Sequence, residues 1–582
     1  MKPNPPSELF ETIWRMRPVY GRVVFFAVVA SLLSLVPSLY MLEVYERVLN
    51  SQSLSTLFML TMLAVGAYGA MEMLEWASIQ VMRVAGYRFE AGLSERVFGA
   101  VFQLNLLRGG GTGQQALTDL RQLRDFFVSP VLRAMLESPV ALVVLAILFF
   151  MHPLLGWFAV FGACIQFVIA YLTERRTHPP MAEANKAATA AQVYAGNTLR
   201  NAQVIESMGM LESVHRRWAR YQNSFLQQQG QASDHAGGLS AFARAVQLIQ
   251  SSALLGVGCW LVLQGELSGS GGMMIMGSIL GGKVLQPIVQ LVSNWKSLIE
   301  AREAYARLNE LLQSVPPPPG RMSLPAPQGM LSVEAVTAGA PGSPVPILRN
   351  VSFALPAGEC LAVVGPSASG KTTLARLLMG LWPAMAGKVR LDGADVFAWN
   401  KNELGPHVGY LPQGVELFDG TLAENIARFG DVDRAAVETA GRLAGLDALV
   451  AELSQGYDSR IGDEGAFLSG GQRQRVGLAR AVYGNPRFVV LDEPNSSLDE
   501  SGEAALLQLL RQLKARGATV VVVTHRTSVL AVVDRMLVMV NGSVQVYGPR
   551  DEVLAALAKG REAQVAQGGQ RSGLSAPVPG SV

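Results

Sequence analysis

The sequence predicts an α-helical membrane domain with six spans, followed by an α/β domain. Hydrophobic residues make up 50% of the 582 residues and charged residues only 16%, and the mean hydropathy is +0.27. Long uncharged runs lie in the first half, and a glycine-rich phosphate-binding motif lies in the second. The predicted parts are a membrane domain at 1–312, a proline-rich linker at 313–330, the α/β domain at 331–559 and a disordered tail at 560–582.

Four runs with almost no charge predict the six spans. Residues 23–42 and 51–71 are uncharged and long enough to cross a hydrocarbon core of ~30 Å. Residues 138–173 are too long for one span and predict two, with a turn at His152 and Pro153. Residues 245–282 contain one charge, Glu266, in a segment rich in Gly and Ser, and this predicts another pair of spans.

Basic residues orient these spans. Arginines flank the inner ends of the first two predicted spans: Arg15, Arg17, Arg22, Arg83, Arg88 and Arg96. The positive-inside rule therefore puts the N-terminus in the cytoplasm, and an even number of spans puts the α/β domain there too. The inner connections, 72–132 and 174–244, predict helical arms of ~40–50 Å. Glu43, Glu72 and Glu75 are the acids near the spans that we expect to face a polar path.

A phosphate-binding loop follows the apolar run 360–364 and precedes a helical pattern. Its residues are Gly365, Pro366, Ser367, Ala368, Ser369, Gly370, Lys371, Thr372 and Thr373. The glycines allow backbone N–H groups to converge on phosphate oxygens, and the following helix adds the positive end of its dipole. Lys371 is predicted to pair with the β and γ phosphates, and the Thr372 hydroxyl to bind Mg²⁺.

A second buried strand, 488–492, ends in two acids. Asp492 is predicted to hold the Mg²⁺ through water, and Glu493 to polarise the attacking water. A third motif lies between the loop and this strand, and it comprises Leu468, Ser469, Gly470, Gly471 and Gln472.

With this third motif, the sequence resembles the ABC transporter family, whose signature is LSGGQ. The resemblance implies that Gln413 reaches the metal, that 497–499 form the D-loop, and that His525 contacts the γ-phosphate. Without the resemblance, His525 would be an ordinary histidine at the end of a strand. Residues 337–341 lack the aromatic that stacks on adenine in many relatives, and Glu464, which follows Asp463, stands where exporters usually have a basic residue.

The resemblance also implies an assembly. In this family the signature of one subunit closes over nucleotide held by another, so one chain with one loop and one signature predicts a homodimer. The cofactors implied are ATP and Mg²⁺.

Within the family, the chain resembles the type I secretion ATPases that export proteases and lipases. This resemblance rests on 40–49 and on the aromatic-free segment 340–343. It implies an exporter of the bacterial inner membrane, an unfolded polypeptide substrate with a C-terminal signal, a periplasmic adaptor and an outer-membrane duct. Membrane lipid is the other expected partner.

Two alternatives come from other classes. A lipid or drug exporter would share all ATPase motifs and the six spans, whereas a non-transporting ABC enzyme would need no spans. The net charge of +3 gives no indication of nucleic-acid binding, and the three cysteines show no disulfide or metal-binding spacing.

Overall fold

The computed structural model describes residues 7–108, 113–266, 271–316, 324–462, 465 and 467–559. The chain divides into two compact units with a boundary near residue 317. The predicted tail at 560–582, the three glycines at 109–111 and residues 317–323 of the predicted proline-rich linker lie outside the described residues.

The described part of the first unit is helical. Its helices are α1 (Glu8–Arg15), α2 (Arg17–Leu33), α3 (Val36–Glu43), α4 (Leu49–Ser51), α5 (Leu54–Arg108), α6 (Gly113–Phe126), α7 (Pro130–Met151), α8 (Pro153–Arg200), α9 (Ala202–Ser207), α10 (Leu211–Leu263), α11 (Gly271–Ser293) and α12 (Trp295–Ser314). A π-helical turn, Val44–Val48, joins α3 to α4.

Six helical stretches among the described residues are long and apolar enough to cross a membrane. They are Arg17–Ser51, Leu54–Leu107, Gln115–Met151, Pro153–Arg200, Leu211–Leu263 and Gly272–Ser293. The predicted number of spans is therefore confirmed. α5 has 55 residues and is about 82 Å long, far more than a bilayer core, so most of its second half extends beyond the membrane as an arm. α8 and α10, with 48 and 53 residues, extend in the same way.

The first span differs from the prediction. An unbroken helix was expected over 23–42, but α2 ends at Leu33 and α3 begins at Val36, immediately before Pro37. Proline has no N–H and its ring excludes a continuous helical backbone before it, which explains the break. Between the first two spans the chain stays helical through Ser51 and turns at Gln52, whose φ is 48°.

The turn between the third and fourth spans agrees with the sequence prediction, whereas the end of the last span does not. His152 has extended backbone between α7 and α8, and its Nδ1 accepts a hydrogen bond from the N–H of Leu154 at 3.2 Å, so the predicted turn is confirmed. The last span was expected to end at 282, but α11 continues to Ser293. Lys283 therefore lies inside a span instead of marking its end.

The second unit contains two sheets. Its strands are β1 (Leu331–Ala338), β2 (Leu348–Leu355), β3 (Cys360–Val364), β4 (Ala386–Leu391), β5 (Ala394–Asp395), β6 (Val408–Leu411), β7 (Phe488–Asp492), β8 (Thr519–Val523), β9 (Arg535–Val540) and β10 (Ser543–Pro549). An antiparallel sheet has the order β2-β1-β4-β5, and a six-stranded sheet has the order β10-β9-β3-β8-β7-β6. In the larger sheet, all neighbours are parallel except β10 and β9.

Helices cover the larger sheet. They are α13 (Lys371–Leu378), α14 (Lys401–Leu404), α15 (Leu422–Ile426), α16 (Arg434–Leu443), α17 (Asp447–Glu452), α18 (Gly470–Val482), α19 (Glu500–Ala515) and α20 (Thr527–Leu530). β7 and β8 are buried at every residue, as expected for parallel strands covered on both faces. This order brings the carboxyl ends of β3, β8, β7 and β6 to one edge of the sheet.

Candidate active site

The predicted site residues follow the carboxyl ends of four adjacent parallel strands. The loop beginning at Gly365 follows β3, His525 follows β8, Asp492 ends β7, and Gln413 follows β6. Since these ends share one edge of the sheet, four segments that are distant in sequence meet there. Ligand crevices in α/β sheets form at this kind of edge.

The phosphate-binding loop turns tightly between β3 and α13. Gly370 has a φ of 97°, and a Cβ there would lie 2.5 Å from Leu348 Cδ2. A Cβ on Gly365 would lie 2.2 Å from the carbonyl oxygen of Met539. Both positions therefore require glycine. Ser369 donates its N–H to the carbonyl of Pro366 at 3.3 Å, which closes the loop.

The rest of the loop leads directly into α13. Ala368 has a φ of 63°, in the left-handed region, and Thr373 is buried in the first turn of the helix. Ser369 is 2% exposed, and its hydroxyl has no hydrogen-bond partner among the described residues. Ser367 is exposed beside it. The predicted loop is therefore present with its start, turns and helix as expected.

Lys371 folds back over this loop. Its Nζ donates to the carbonyl of Gly365 at 2.9 Å and to that of Pro366 at 2.8 Å, and the residue is 6% exposed. Burial lowers the pKa of Lys371, while the nearby carboxylates of Glu493 and Asp492 oppose this effect. The Lys371 ammonium group can form charge-assisted hydrogen bonds with the anionic oxygens of a phosphate when they replace these carbonyl contacts.

Asp492 is a fully buried acid at the end of β7. Neither of its carboxylate oxygens has a hydrogen-bond partner in good geometry among the described residues. Burial raises the pKa of Asp492; the nearby Thr372 hydroxyl, although not well aligned, lowers it, as do Arg376 and Lys371. A buried carboxylate without partners is costly. Its two free oxygens beside a hydroxyl fit a hydrated, oxygen-ligated Mg²⁺.

Glu493 has a strained backbone and a well-held side chain. Its φ is 50°, a conformation that costs a non-glycine residue about 1–3 kcal/mol. Its N–H donates to the carbonyl of Val523 at 2.9 Å. Gln413 Nε2 donates to its Oε2 at 3.1 Å, and His525 Nε2 lies 3.5 Å from its Oε1. The three residues predicted separately from the sequence therefore meet at one carboxylate.

The signature residues form the start of α18. The Ser469 hydroxyl accepts a hydrogen bond from the N–H of Gln472 at 3.2 Å, and Gln472 Oε1 accepts from the N–H of Ser469 at 2.8 Å. This is a capping box. A Cβ on Gly471 would lie 2.8 Å from the carbonyl of Ser497, and Gly470 lies against the same residue. Among the described residues, no hydrogen bond joins 469–472 to the loop at 365–373.

Two residues in this region were not predicted from the sequence. Gln474 Nε2 donates to the carbonyls of Glu493 and Pro494, at 3.3 and 3.2 Å. Arg475 donates to Asp499 Oδ1 at 2.5 Å and to the hydroxyl of Ser501 at 2.9 Å. The spacing of Gln474 and Arg475 from the signature is the only signal that could have identified them. They connect α18 to the acidic strand end and to the predicted D-loop.

The segment without an aromatic is bordered by aliphatic side chains. The N–H of Ile347 donates to the carbonyl of Ala338 at 2.8 Å, and Ile347 Cγ2 would lie 3.5 Å from a Cβ on Gly370. Val345 and Met385 are exposed nearby. Aliphatic groups therefore lie next to the phosphate-binding loop.

Comparison with known proteins agrees with this arrangement. The "ABC transporter" family model matches residues 348–496, and the "ABC transporter transmembrane region" model matches residues 21–281. A solved "bacterial Atm1-family ABC exporter with ATP bound" is similar, with a TM-score of 0.82 and 22% identity, over 97% of this chain and 99% of that one. At that identity the likeness concerns the fold alone.

Curated relatives are similar across both units. The type I secretion system ATP-binding protein PrsD of Rhizobium meliloti is 41% identical over 529 residues, 90% of each chain. The leukotoxin translocation protein LktB of Mannheimia haemolytica is 26% identical over 93% of this chain and 77% of its own. The cyclolysin secretion/processing protein CyaB of Bordetella pertussis is 28% identical over 93% and 76%. The chain therefore belongs to the ABC transporter family, as a multi-pass membrane protein that binds ATP and couples its hydrolysis to transport.

Proposed function

We propose that this protein is a homodimeric exporter of the bacterial inner membrane, which uses ATP to move unfolded polypeptides with a C-terminal signal in a type I secretion system. The observation that carries this proposal is the 41% identity to PrsD over 90% of both chains, which includes the membrane unit. The proposed division of labour is a membrane domain at 1–312, a linker at 313–330 and an ATPase domain at 331–559.

The phosphates of ATP would bind at the loop 365–373. Its N–H groups and the start of α13 attract anionic oxygens, and Lys371 would exchange its two carbonyl contacts for the β and γ phosphates. Thr372, Gln413 and Asp492 would hold Mg²⁺. The ion would neutralise charge on the phosphates. The partnerless oxygens of Asp492 support this assignment.

Glu493 would act on the water that attacks the γ-phosphate. Its carboxylate is oriented by Gln413 and lies near His525, so it is pre-positioned without nucleotide. Gln474 fixes the backbone on the other side of the same residue. His525 would contact the γ-phosphate and thereby report its presence to Glu493. A general base of this kind contributes ~10²–10⁴-fold to a rate.

The signature would act on the nucleotide of the second subunit. Within one chain the Ser469 hydroxyl is already used to cap α18. A phosphate of the partner's nucleotide would accept the hydroxyl proton of Ser469 while the cap persists, or it would displace the cap, whose loss costs about 1 kcal/mol. Gly470 and Gly471 lack side chains that would obstruct that approach, and Gln472 keeps the helix start ordered. Two identical composite sites follow from two-fold symmetry.

The cellular setting completes the proposal. The arginines near the inner ends of the spans support a cytoplasmic ATPase domain. A periplasmic adaptor and an outer-membrane duct would receive the polypeptide, and membrane lipid would surround the spans. Nothing in the charge of the chain favours nucleic acid as a partner.

The test compares polypeptides in the culture medium. Cells with the wild-type protein are compared with cells carrying Glu493→Gln, and polypeptides lost from the medium are identified by mass spectrometry. The C-terminal segments of those polypeptides are then added to the purified protein in lipid nanodiscs, where they are expected to change the ATPase rate. If no polypeptide is lost, and a lipid or an amphiphile stimulates hydrolysis instead, the lipid or drug exporter replaces this proposal.

A further inference from the structure

Four ionisable side chains from three spans come together in the first unit. Arg133 of α7 forms an ion pair with Glu75 of α5. Glu137, one turn further along α7, interacts electrostatically with Arg133, with Glu75 and with Lys283 of α11. We call Glu75, Arg133, Glu137 and Lys283 the charged layer.

Lys283 also forms hydrogen bonds at the break between α2 and α3 in the first span. Its Nζ donates to the hydroxyl of Ser34 at 2.6 Å and to the carbonyl of the same residue. Ser34 follows the last residue of α2, so the ammonium group lies at the negative end of that helix dipole. Lys283 therefore has a structural partner on one side and the acid Glu137 on the other.

Two residues of the charged layer lie within the bilayer core, and the other two lie near its cytoplasmic boundary. Glu137 is 14 residues from the outer end of α7 at Met151, about 21 Å, and Lys283 is 12 residues from the outer end of α11 at Gly271, about 18 Å. Glu75 is 21 residues from the start of α5, about 32 Å. With a core of ~30 Å, Glu137 and Lys283 lie in its cytoplasmic half, and Glu75 lies at its cytoplasmic boundary. A charge at the centre of the core costs at least ~2.5–3.5 kcal/mol, so charged residues within the core face protein or water.

The charged layer is partly exposed on the surface of this unit. The side chains of Arg133 and Glu75 are 32% and 37% exposed, and Glu137 and Lys283 are half-buried. Other surfaces of α7 have the apolar character expected next to lipid: Leu142 is 68% exposed. The exposed side of the layer is therefore unsuited to acyl chains and suited to a hydrated space.

We propose that the charged layer lines the route of the exported polypeptide and binds its peptide groups and charged side chains as they pass. This inference rests on the proposed function. Two acids and two bases give the layer no net charge, so a cargo segment of either sign finds an opposite partner and neither sign is retained. A homodimer would contain the layer twice, on the two halves between which the chain moves. Lipid transport would need no such balanced set.

The experiment places a photo-crosslinking amino acid at Glu137 or, as the matched control, at Leu142. The two positions are five residues apart on α7 and point about 140° apart. The cargo is a polypeptide lost from the medium in Glu493→Gln cells, fused to a fast-folding domain so that it stalls. We expect cargo cross-links from position 137 and lipid cross-links from position 142, read by immunoblot and by lipid mass spectrometry.

Three results would overturn the inference and leave the proposed function intact. One is cargo that co-purifies with the protein but cross-links at neither position, and another is cargo that cross-links equally at both. Lipid cross-links at position 137 would also overturn it. If no polypeptide is lost from the medium in the first place, the proposed function itself fails, and that outcome is visible before any cross-linking.

A second measurement uses charge removal. Glu137→Gln is preferred to a change at Lys283, because Lys283 also holds the helix break. Secretion per ATP hydrolysed is expected to fall about tenfold, the effect of one lost charge-assisted hydrogen bond. Glu183→Gln, which removes an exposed acid paired with Lys186, is the control and should leave this ratio unchanged. An unchanged ratio in Glu137→Gln, in protein with wild-type gel-filtration behaviour, would contradict a role in the route.

Discussion

Replacing Glu493 with glutamine should stop hydrolysis and preserve nucleotide binding. The side chain keeps its length and one carbonyl oxygen, so the hydrogen bond from Gln413, now 3.1 Å long, retains an acceptor. The contacts of Lys371 with Gly365 and Pro366 do not involve Glu493. The phosphate-binding loop therefore stays as it is, and the change removes only the group that accepts a proton from water.

The size of the effect follows from that chemistry. Losing a general base lowers the rate ~10²–10⁴-fold. At about 1.36 kcal/mol for each factor of ten, the barrier rises by about 2.7–5.5 kcal/mol. The strained backbone at Glu493, with φ of 50°, is retained because glutamine meets the same steric restriction. The loss should therefore appear in turnover and not in the melting temperature.

The assay measures phosphate release and binding of a fluorescent ATP analogue on the same purified protein. Glu452→Gln, an exposed acid at the end of α17, is the matched control and should behave as wild type. Turnover above about a tenth of wild type in Glu493→Gln would fall short of the general-base effect and refute the assigned role. Loss of ATP binding would indicate that Glu493 shapes the loop instead.

Three further predictions test other parts of the structure. Subunits with Lys371→Ala and subunits with Ser469→Arg should each be inactive on their own. When the two are mixed, half of the dimers should contain one intact composite site, so ATPase activity should recover to at most about a quarter of the wild-type value. Heterodimers that form but show no ATPase activity would contradict shared sites. Ala340→Tyr should tighten ATP binding about fivefold in a titration, since stacking adds about 1 kcal/mol, and an unchanged affinity would mean that this position does not face the base. Asp119→Ala removes a buried carboxylate that accepts hydrogen bonds from Arg307 and Gln115, and it should lower the free energy of unfolding by about 1–3 kcal/mol. Glu11→Ala, which breaks an exposed pair, should cost less than about 0.5 kcal/mol in the same thermal unfolding series.

The spans and strands were predictable because their signals are local. An uncharged run of twenty residues or a buried run ending in two acids is visible without knowing its neighbours. The meeting of Gln413, Glu493 and His525 was predictable only through the family resemblance. Their separation in sequence gives no contact information, and the strand order that brings them together is a property of the whole sheet.

The sequence prediction failed where contacts between residues distant in sequence determine the position of a charged side chain. Lys283 follows an apolar run and was expected outside the span, but Ser34 and Glu137 provide partners that make its burial tolerable. Glu75 was expected, with Glu43 and Glu72, to face a polar path, but its ion pair with Arg133 was not foreseen. Neither the ion pair nor the hydrogen bond can be inferred from hydropathy. A hydropathy profile ends a span at a charged residue whether or not that residue has a partner in the fold.

The two helices that begin the membrane unit differ in stiffness, and this has a mechanical consequence. α5 is unbroken over 55 residues, with about 30 Å in the bilayer and about 50 Å beyond it. Tilting such a rod by 5° about its point of entry into the cytoplasm moves the far tip by about 4 Å and the outer end by about 3 Å in the opposite direction. The first span has a joint between Leu33 and Val36, so it can bend locally and does not transmit such a rotation. One subunit thus combines a rigid helix, α5, with a first span that can bend. A force applied at the cytoplasmic end of α5 would therefore reach the outer surface mainly through α5.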